Sequence, residues 1–189
     1  NWEEILEKSP LNPGSQHFFE ISSDKIYTHV RLHIYPDGGV ARFRVYGEVY
    51  KDWYTVNEKD IIDLALATNC GKALSCNDMF FSAMDNLISP SLGKNMGDGW
   101  ETKRNRTPNN EDWVILRLGH QGIVKKILVD TKHFKGNYPD SCAIDYCNCQ
   151  DDQIVINGKS DWKPLLTKQK LQANQEHIFK ADILENNNP

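Results

Sequence analysis

The stretch THVRLHIYPDGGVARFRVYG, residues 28–47, gives the strongest indication of the fold. Apolar and polar residues alternate over 29–35 and again over 41–46, and the turn-forming tetrapeptide PDGG at 36–39 separates the two runs. Alternation with period two on both sides of such a turn predicts a β-hairpin. One face of this hairpin would be apolar and would lie on a core, whereas the other would carry histidine, arginine and tyrosine side chains.

A second pattern repeats along the chain at an offset of 160 residues. The frame W-x-x-[IL]-L-x(4)-L-x(5)-H-x-F occurs at 2–19 and again at 162–179, and 162 − 2 is 160. The six pairs are Trp2 and Trp162, Ile5 and Leu165, Leu6 and Leu166, Leu11 and Leu171, His17 and His177, and Phe19 and Phe179. An offset of this length is that of a domain rather than of a solenoid unit, and it predicts two copies of one domain.

The offset also predicts the domain boundaries. Residues 1–47 would be the tail and hairpin of the first copy, 48–60 a linker, and 61–189 the second copy without its own final hairpin. That hairpin would begin near residue 188, which is 28 + 160. We hypothesise that the hairpin at 28–47 pairs with the vacant sheet edge of the second copy, because an unpaired edge leaves backbone groups without partners.

The rest of the chain consists of short apolar runs separated by turn residues. Residues 61–69 predict a short helix that ends near Asn69 or Gly71. The predicted strands are 114–118, 123–129, 142–147 and a run that includes 154–156. Many short strands with few helices predict an all-β antiparallel sandwich with short helices.

Composition narrows the classes of function. The 189 residues carry a formal net charge of −4 and no basic cluster, which disfavours a nucleic-acid partner. No apolar run approaches the roughly 20 residues of a membrane span. The five cysteines include no C-x-x-C pair, so we interpret them as reduced thiols of an intracellular protein rather than as a zinc site.

The glycine-rich segment GKNMGDGWETKR at 93–104 is the first candidate site. It presents Asp98, Glu101 and Arg104 around Trp100, which suits a polar ligand better than a phosphate, because its spacing is not that of a phosphate-binding loop. A surface loop anchored by a buried tryptophan is an equally good interpretation.

The segment VDTKHFKGNYP at 129–139 is the second candidate, because it begins where a predicted strand ends. Asp130 and His133 could form a carboxylate–imidazole pair in which the carboxylate orients the ring. The alternative is a histidine on a solvent-exposed loop beside a capping aspartate.

The outer face of the predicted hairpin is the third candidate. Its arginines, among them Arg31 and Arg42, need carboxylates opposite them or an anionic ligand. No metal-binding motif is present, so the sequence predicts no metal ligands and no cofactor, while leaving a divalent metal open.

Five motifs together carry a family resemblance. They are THVRLHIYPDGGVARFRVYG at 28–47, DLALATNCGKAL at 63–74, NMGDGWETKR at 95–104, DWVILRLG at 112–119 and VDTKHFKGNYP at 129–139. With the repeated frame, they identify the chain as resembling the allantoicase (allantoate amidinohydrolase) family. The resemblance implies two tandem repeats, each similar to a galactose-binding-like jelly-roll β-sandwich.

The resemblance also implies an activity, the hydrolysis of allantoate to ureidoglycolate and urea in purine and allantoin degradation. Arg104, Arg31 and Arg42 would then bind the substrate carboxylate, and Asp98 and Glu101 would accept hydrogen bonds from the ureido groups. Asn137 is a further expected substrate-binding residue. The expected catalytic residues are Glu101, Asp130 and His133. The expected compartment is cytoplasmic or peroxisomal.

Three alternatives stay open. The chain could be a catalytically inactive allantoicase-like fragment, a ligand-binding jelly-roll module, or a structural subunit of a homo-oligomer with Tyr50, Trp53 and Tyr54 at the interface. The expected partner is a small ureide, with no nucleic acid and no membrane. We expect weak or no urea release from these 189 residues alone.

Overall fold

The computed structural model describes residues 2–57 and 59–180. The chain divides into two compact units, Asn1–Tyr50 and Lys51–Pro189. The second copy's final hairpin, predicted near residue 188, lies outside the described residues.

The second unit consists of short strands with few helices. Its strands are β1 (Lys72–Cys76), β2 (Val114–Arg117), β3 (Lys126–Asp130), β4 (Ser141–Tyr146), β5 (Lys163–Lys170) and β6 (Glu176–Lys180). They form three antiparallel pairs, β1 with β2, β3 with β6 and β4 with β5. The helical elements are the α-helix α1 (Asp152–Ile156) and the 3₁₀ helices Trp53–Thr55, Ala67–Asn69, Met84–Ile88 and Met96–Asp98.

The repeated frame at 162–179 supplies a buried cluster to the core of this unit. Its buried cluster consists of Leu165, Leu166, Leu171 and Phe179. Leu165 and Leu166 are consecutive yet both buried, because the register between β4 and β5 shifts beside them. Such a bulge lets two successive side chains point to the same side of a strand.

The predicted strands at 114–118 and 142–147 are confirmed by β2 and β4. The run predicted at 123–129 forms a strand only from Lys126 onward. The helix predicted at 61–69 is shorter than expected, since only Ala67–Asn69 is helical. It ends at Cys70, whose φ of 69° is left-handed.

The strand predicted at 154–156 is wrong, because these residues belong to α1. The Asp151 side chain accepts a hydrogen bond from the Gln153 N–H at 2.8 Å and caps the helix. Such an N-cap satisfies a backbone donor that has no partner within the helix, and it favours the helix over a strand.

The hairpin predicted at 28–47 is also wrong, since the described residues 2–50 contain no strand. Side chains of its predicted apolar face are exposed, with Leu32 at 48% and Phe43 at 54%. An isolated two-stranded hairpin without a core to cover is marginal in water. The hypothesis that it pairs with the edge of the second copy fails with it, because residues 28–47 supply no strand.

No helix in the described ranges is long and apolar enough to cross a membrane.

Candidate active site

The loop at 93–104 is shaped by its own polar side chains. The Asn95 Oδ1 accepts a hydrogen bond from the Gly97 N–H at 2.8 Å, and the Asp98 Oδ2 accepts one from the Lys94 N–H at 2.7 Å. The Asp98 Oδ2 also accepts from the Asn95 N–H at 3.3 Å, which completes a capping box at the N-terminus of the short 3₁₀ helix Met96–Asp98. One oxygen of Asp98 is therefore committed to holding the loop.

The end of this loop is fixed to the rest of the unit. The Asn86 carboxamide donates hydrogen bonds to the Gly97 and Gly99 carbonyl oxygens at 3.0 and 2.9 Å. A Cβ atom at Gly99 would lie only 2.8 Å from the Phe134 ring, so any larger residue there would require this ring to shift. The half-buried Trp100 donates from its indole to the Asp78 carbonyl oxygen at 2.8 Å.

Glu101 is held at its backbone by a neighbouring segment. It forms an isolated antiparallel bridge with Ser82, and its carbonyl oxygen accepts a hydrogen bond from the Phe81 N–H at 3.1 Å. The Ser82 hydroxyl oxygen is buried beside this bridge, and it has no hydrogen-bond partner in the part of the chain that the structure describes.

The loop that follows β3 is anchored to the turn between β5 and β6. Thr131 is buried, and its hydroxyl donates a hydrogen bond to the Gln172 carbonyl oxygen at 2.6 Å. The next anchor is His133, whose backbone N–H donates to the Asn174 Oδ1 at 2.8 Å. His133 has a left-handed φ of 73°.

The two candidate segments meet. The Asn137 carboxamide donates to the Glu101 Oε1 at 2.5 Å, and the His133 Nε2 lies 2.9 Å from the Gly93 carbonyl oxygen. The Asn137 Nδ2 also lies 3.7 Å from the Met96 sulfur. Four polar groups from two separate motifs thus lie in one region: a carboxylate, a carboxamide, an imidazole and a carbonyl group.

Asp130 and His133 have different partners in this structure. The Asp130 Oδ1 accepts from the Lys132 N–H at 2.7 Å in a local turn, whereas the imidazole contacts the Gly93 carbonyl oxygen. The carbonyl of Gly93 therefore takes the orienting position that the sequence assigned to the carboxylate. The catalytic assignment of both residues stays a prediction.

The predicted arginines lie in different parts of the chain. Arg104 is exposed and has no ion-pair partner within residues 2–57 and 59–180. Arg31 and Arg42 belong to the unit Asn1–Tyr50. The Arg31 guanidinium lies 4.2 Å from the Trp2 ring centroid, and the Arg42 Nη1 donates to the Ala41 carbonyl oxygen at 2.7 Å.

Asp112 supports the far end of the loop at 93–104. Its carboxylate accepts hydrogen bonds from the Asn77 carboxamide and the Thr102 hydroxyl, each at 2.8 Å. Burial by itself would raise the pKa of Asp112, but these hydrogen bonds and the Lys103 charge outweigh it, so the pKa lies below its usual value.

A small depression of about 180 Å³ adjoins the loop. Its lining consists of Asn86, Ser89, Ser91, Leu92, Lys94 and Asp98. This volume is below the roughly 300–1,000 Å³ of pockets that enclose a drug-sized ligand. In the described ranges, no group of three or more His, Cys, Asp or Glu side chains is placed to hold a metal ion.

Asn86, Thr131 and Asn174 are the residues of this region that sequence reasoning missed. Each acts through a contact to a distant backbone, as when Asn174 binds the His133 N–H across 41 positions. A single polar residue in a turn carries no local pattern that would reveal such a partner.

Fold and geometry together define a β-strand protein with a polar site built on loops. The allantoicase-repeat family model matches residues 1–50 and 62–188. The probable allantoicases of Pseudomonas fluorescens strain Pf0-1 and of Stutzerimonas stutzeri are each 50% identical over 184 residues, which is 96% of this chain and 55% of either relative. The chain belongs to the allantoicase family.

A solved structure agrees with this assignment. The crystal structure of allantoicase from Saccharomyces cerevisiae is 37% identical, with a TM-score of 0.56 over 66% of this chain and 35% of that one. A second allantoicase structure is 36% identical with a TM-score of 0.57. The chain spans about 55% of the length of the curated relatives named above.

Proposed function

We propose that this chain is part of an allantoicase, which hydrolyses allantoate to ureidoglycolate and urea in purine and allantoin degradation. The main structural support for this proposal is the hydrogen bond from the Asn137 carboxamide to the Glu101 carboxylate, because it joins the candidate segments 93–104 and 129–139. The names of the relatives, probable allantoicases at 50% identity, support the same activity.

The substrate's groups match those of the site. Allantoate has one carboxylate and two ureido groups on a central carbon. Arg104 is exposed and supplies a guanidinium for the carboxylate. The Asp98 Oδ1 has no partner among the described residues, and we assign it to a ureido N–H. Arg31 and Arg42 stay sequence-based candidates for the carboxylate.

The reaction needs one proton acceptor and one proton donor. Water adds its oxygen to the central carbon, the bond from that carbon to one ureido nitrogen breaks, and the nitrogen leaves as urea after it gains a proton. Glu101 and His133 are the two groups that we assign to these transfers. Asn137 holds Glu101 through the 2.5 Å hydrogen bond and is free to contact the substrate through its carbonyl oxygen. Asp130, which lies in the same segment as His133, is also proposed as a catalytic residue.

The remaining assignments are proposals of the same kind. We assign residues 1–47 to the end of one allantoicase repeat, 48–60 to a linker and 61–189 to the next repeat, with the jelly-roll sandwich as their fold. We propose an intracellular compartment, cytoplasmic or peroxisomal, because Cys76, Cys142, Cys147 and Cys149 form no disulfide among the described residues. Burial raises the pKa of the thiols of Cys76, Cys142 and Cys147, as expected of inert structural cysteines. A homo-oligomer stays open.

A ligand-binding module without catalysis is the second candidate function. The observation that favours it is that the Asp130 carboxylate and the His133 ring have different partners, so these two residues do not form a preformed catalytic pair. Fold alone does not decide between an enzyme and a binder.

The test combines allantoate binding by calorimetry with urea release at high protein concentration. We expect binding and slow urea release, with Glu101→Gln lowering the rate by about 10²–10⁴ while binding is retained. Glu111→Gln is the matched control, since the Glu111 side chain is exposed and, among the described residues, Glu111 forms a hydrogen bond through its backbone carbonyl alone. Binding without urea release would favour the binding module. Absence of binding would contradict both functions.

A further inference from the structure

His133 has an unusual backbone for its residue type. Its φ of 73° lies in the left-handed region, which few residues other than glycine adopt. The conformation is held from outside, because its N–H donates to the Asn174 Oδ1 at 2.8 Å. Strain that the surrounding structure maintains is common at functional sites.

The ring of His133 has a defined hydrogen-bond partner as well. Its Nε2 lies 2.9 Å from the Gly93 carbonyl oxygen. A carbonyl oxygen only accepts hydrogen bonds, so the Nε2 must carry the proton. In the neutral imidazole the other nitrogen, Nδ1, then carries a lone pair. That atom has no hydrogen-bond partner in the described ranges.

The bond to Asn174 is part of a reciprocal clamp between two loops. The Asn174 N–H donates to the Phe134 carbonyl oxygen at 3.1 Å while its side chain accepts from His133. Asn174 is itself left-handed, with a φ of 55°. Thr131 adds a further bond between the same two loops, since its hydroxyl accepts from the Gln175 N–H at 3.2 Å.

We propose that Asn174 is a positioning residue: by holding the His133 backbone, it keeps the ring against the Gly93 carbonyl oxygen as the Nε2–H tautomer. This tautomer leaves Nδ1 as the proton acceptor of the site. The inference rests on the proposed function and deepens it, because it assigns the base to one atom. In hydrolysis Nδ1 takes a proton from the attacking water, the water oxygen bonds to the central carbon, and the bond from that carbon to one ureido nitrogen breaks. Glu101, in its protonated form, gives its proton to that nitrogen, which leaves as urea.

Substitutions of Asn174 test this role. Asn174→Gly removes the acceptor while tolerating the left-handed backbone, and Asn174→Asp keeps an acceptor oxygen at the same place. Asn109→Gly is the matched control, because Asn109 has a similar φ of 59° but no recorded contact with the site.

The measurement is the ring ¹⁵N spectrum of the full chain, with His133 assigned by the loss of its signals in His133→Gln, together with the exchange rate of the His133 amide. We expect Nε2 protonated and Nδ1 unprotonated in the wild type, in Asn174→Asp and in Asn109→Gly. In Asn174→Gly we expect averaged ring signals and an amide that exchanges about tenfold faster, which matches the loss of one hydrogen bond.

A proton on Nδ1 in the wild type would overturn the proposal, and this result needs no variant. Unchanged ring and amide signals in a folded Asn174→Gly would overturn the role of Asn174. Neither readout uses allantoate. The tautomer assignment therefore stands if urea release fails, and it fails alone if the enzyme is active with Nδ1 protonated.

Discussion

At the scale of single residues, the site depends on contacts that span long sequence distances. Residues 93–104 and 129–139 can be identified from their glycines, charges and positions after strands. Their partners cannot, because the bond between Glu101 and Asn137 crosses 36 positions. The pair that sequence proximity suggested, Asp130 with His133, gives way to a local turn in which Asp130 binds the Lys132 N–H. Short polar side chains often prefer such neighbouring backbone donors.

Asp112 gives a prediction at this scale. Its folded-state pKa lies below the unfolded value of about 3.9, so its contribution to stability is present above that pH and is lost as pH falls through the folded pKa. We expect the loss of unfolding free energy below about pH 4 to be smaller in Asp112→Asn than in the wild type. Denaturant unfolding at a series of pH values measures it. Asp161→Asn, at an exposed carboxylate with no recorded hydrogen bond, is the control, and equal pH dependence in both variants would contradict the account.

At the scale of elements, period-two alternation predicted strands only where a core was available to cover them. The apolar runs that became β2 and β4 have partner strands and partly buried side chains. The run at 28–47 has the clearest alternation in the chain, yet its apolar side chains are exposed and it forms no strand. Alternation describes a face that can be buried, and the burial itself comes from tertiary contacts.

Amide hydrogen exchange tests this difference between elements. We expect the amides of 28–47 to exchange without protection, because they make no backbone–backbone hydrogen bond with any residue that the structure describes. The amides of β5 and β6 that bond to β4 and β3 should be protected. Protection at alternate residues of 28–47 would instead show that the hairpin forms.

At the scale of the whole molecule, the two copies of the repeated frame share a local bond but differ in burial. The His177 Nε2 accepts from the Gln172 N–H at 2.9 Å. The His17 Nε2 accepts from the Asn12 N–H at 3.0 Å, and both residues of this bond lie 160 positions before their counterparts. The exposed fraction of the corresponding leucines differs, since Leu166 is 1% exposed and Leu6 is 42% exposed. The turn thus forms locally in both copies, whereas the core forms in one.

The paired leucines give a stability prediction. We expect Leu166→Ala to lower the unfolding free energy by about 3 kcal/mol, because it leaves a cavity in the core. We expect Leu6→Ala to change it by about 0.5 kcal/mol or less, as at other exposed positions. Urea denaturation followed by circular dichroism compares the two variants. Similar losses in both would show that the first copy of the frame is packed as tightly as the second.

The central claim is that 93–104 and 129–139 together form the allantoate site. The most direct test is a titration of the ¹⁵N-labelled chain with allantoate, followed by the backbone and side-chain amide signals. We predict that the largest shifts fall on Glu101, His133 and Asn137 and on the residues beside them. Shifts confined to other parts of the chain, or no shifts at allantoate concentrations of about 1 mM, where a weak ligand is still detected, would contradict the account.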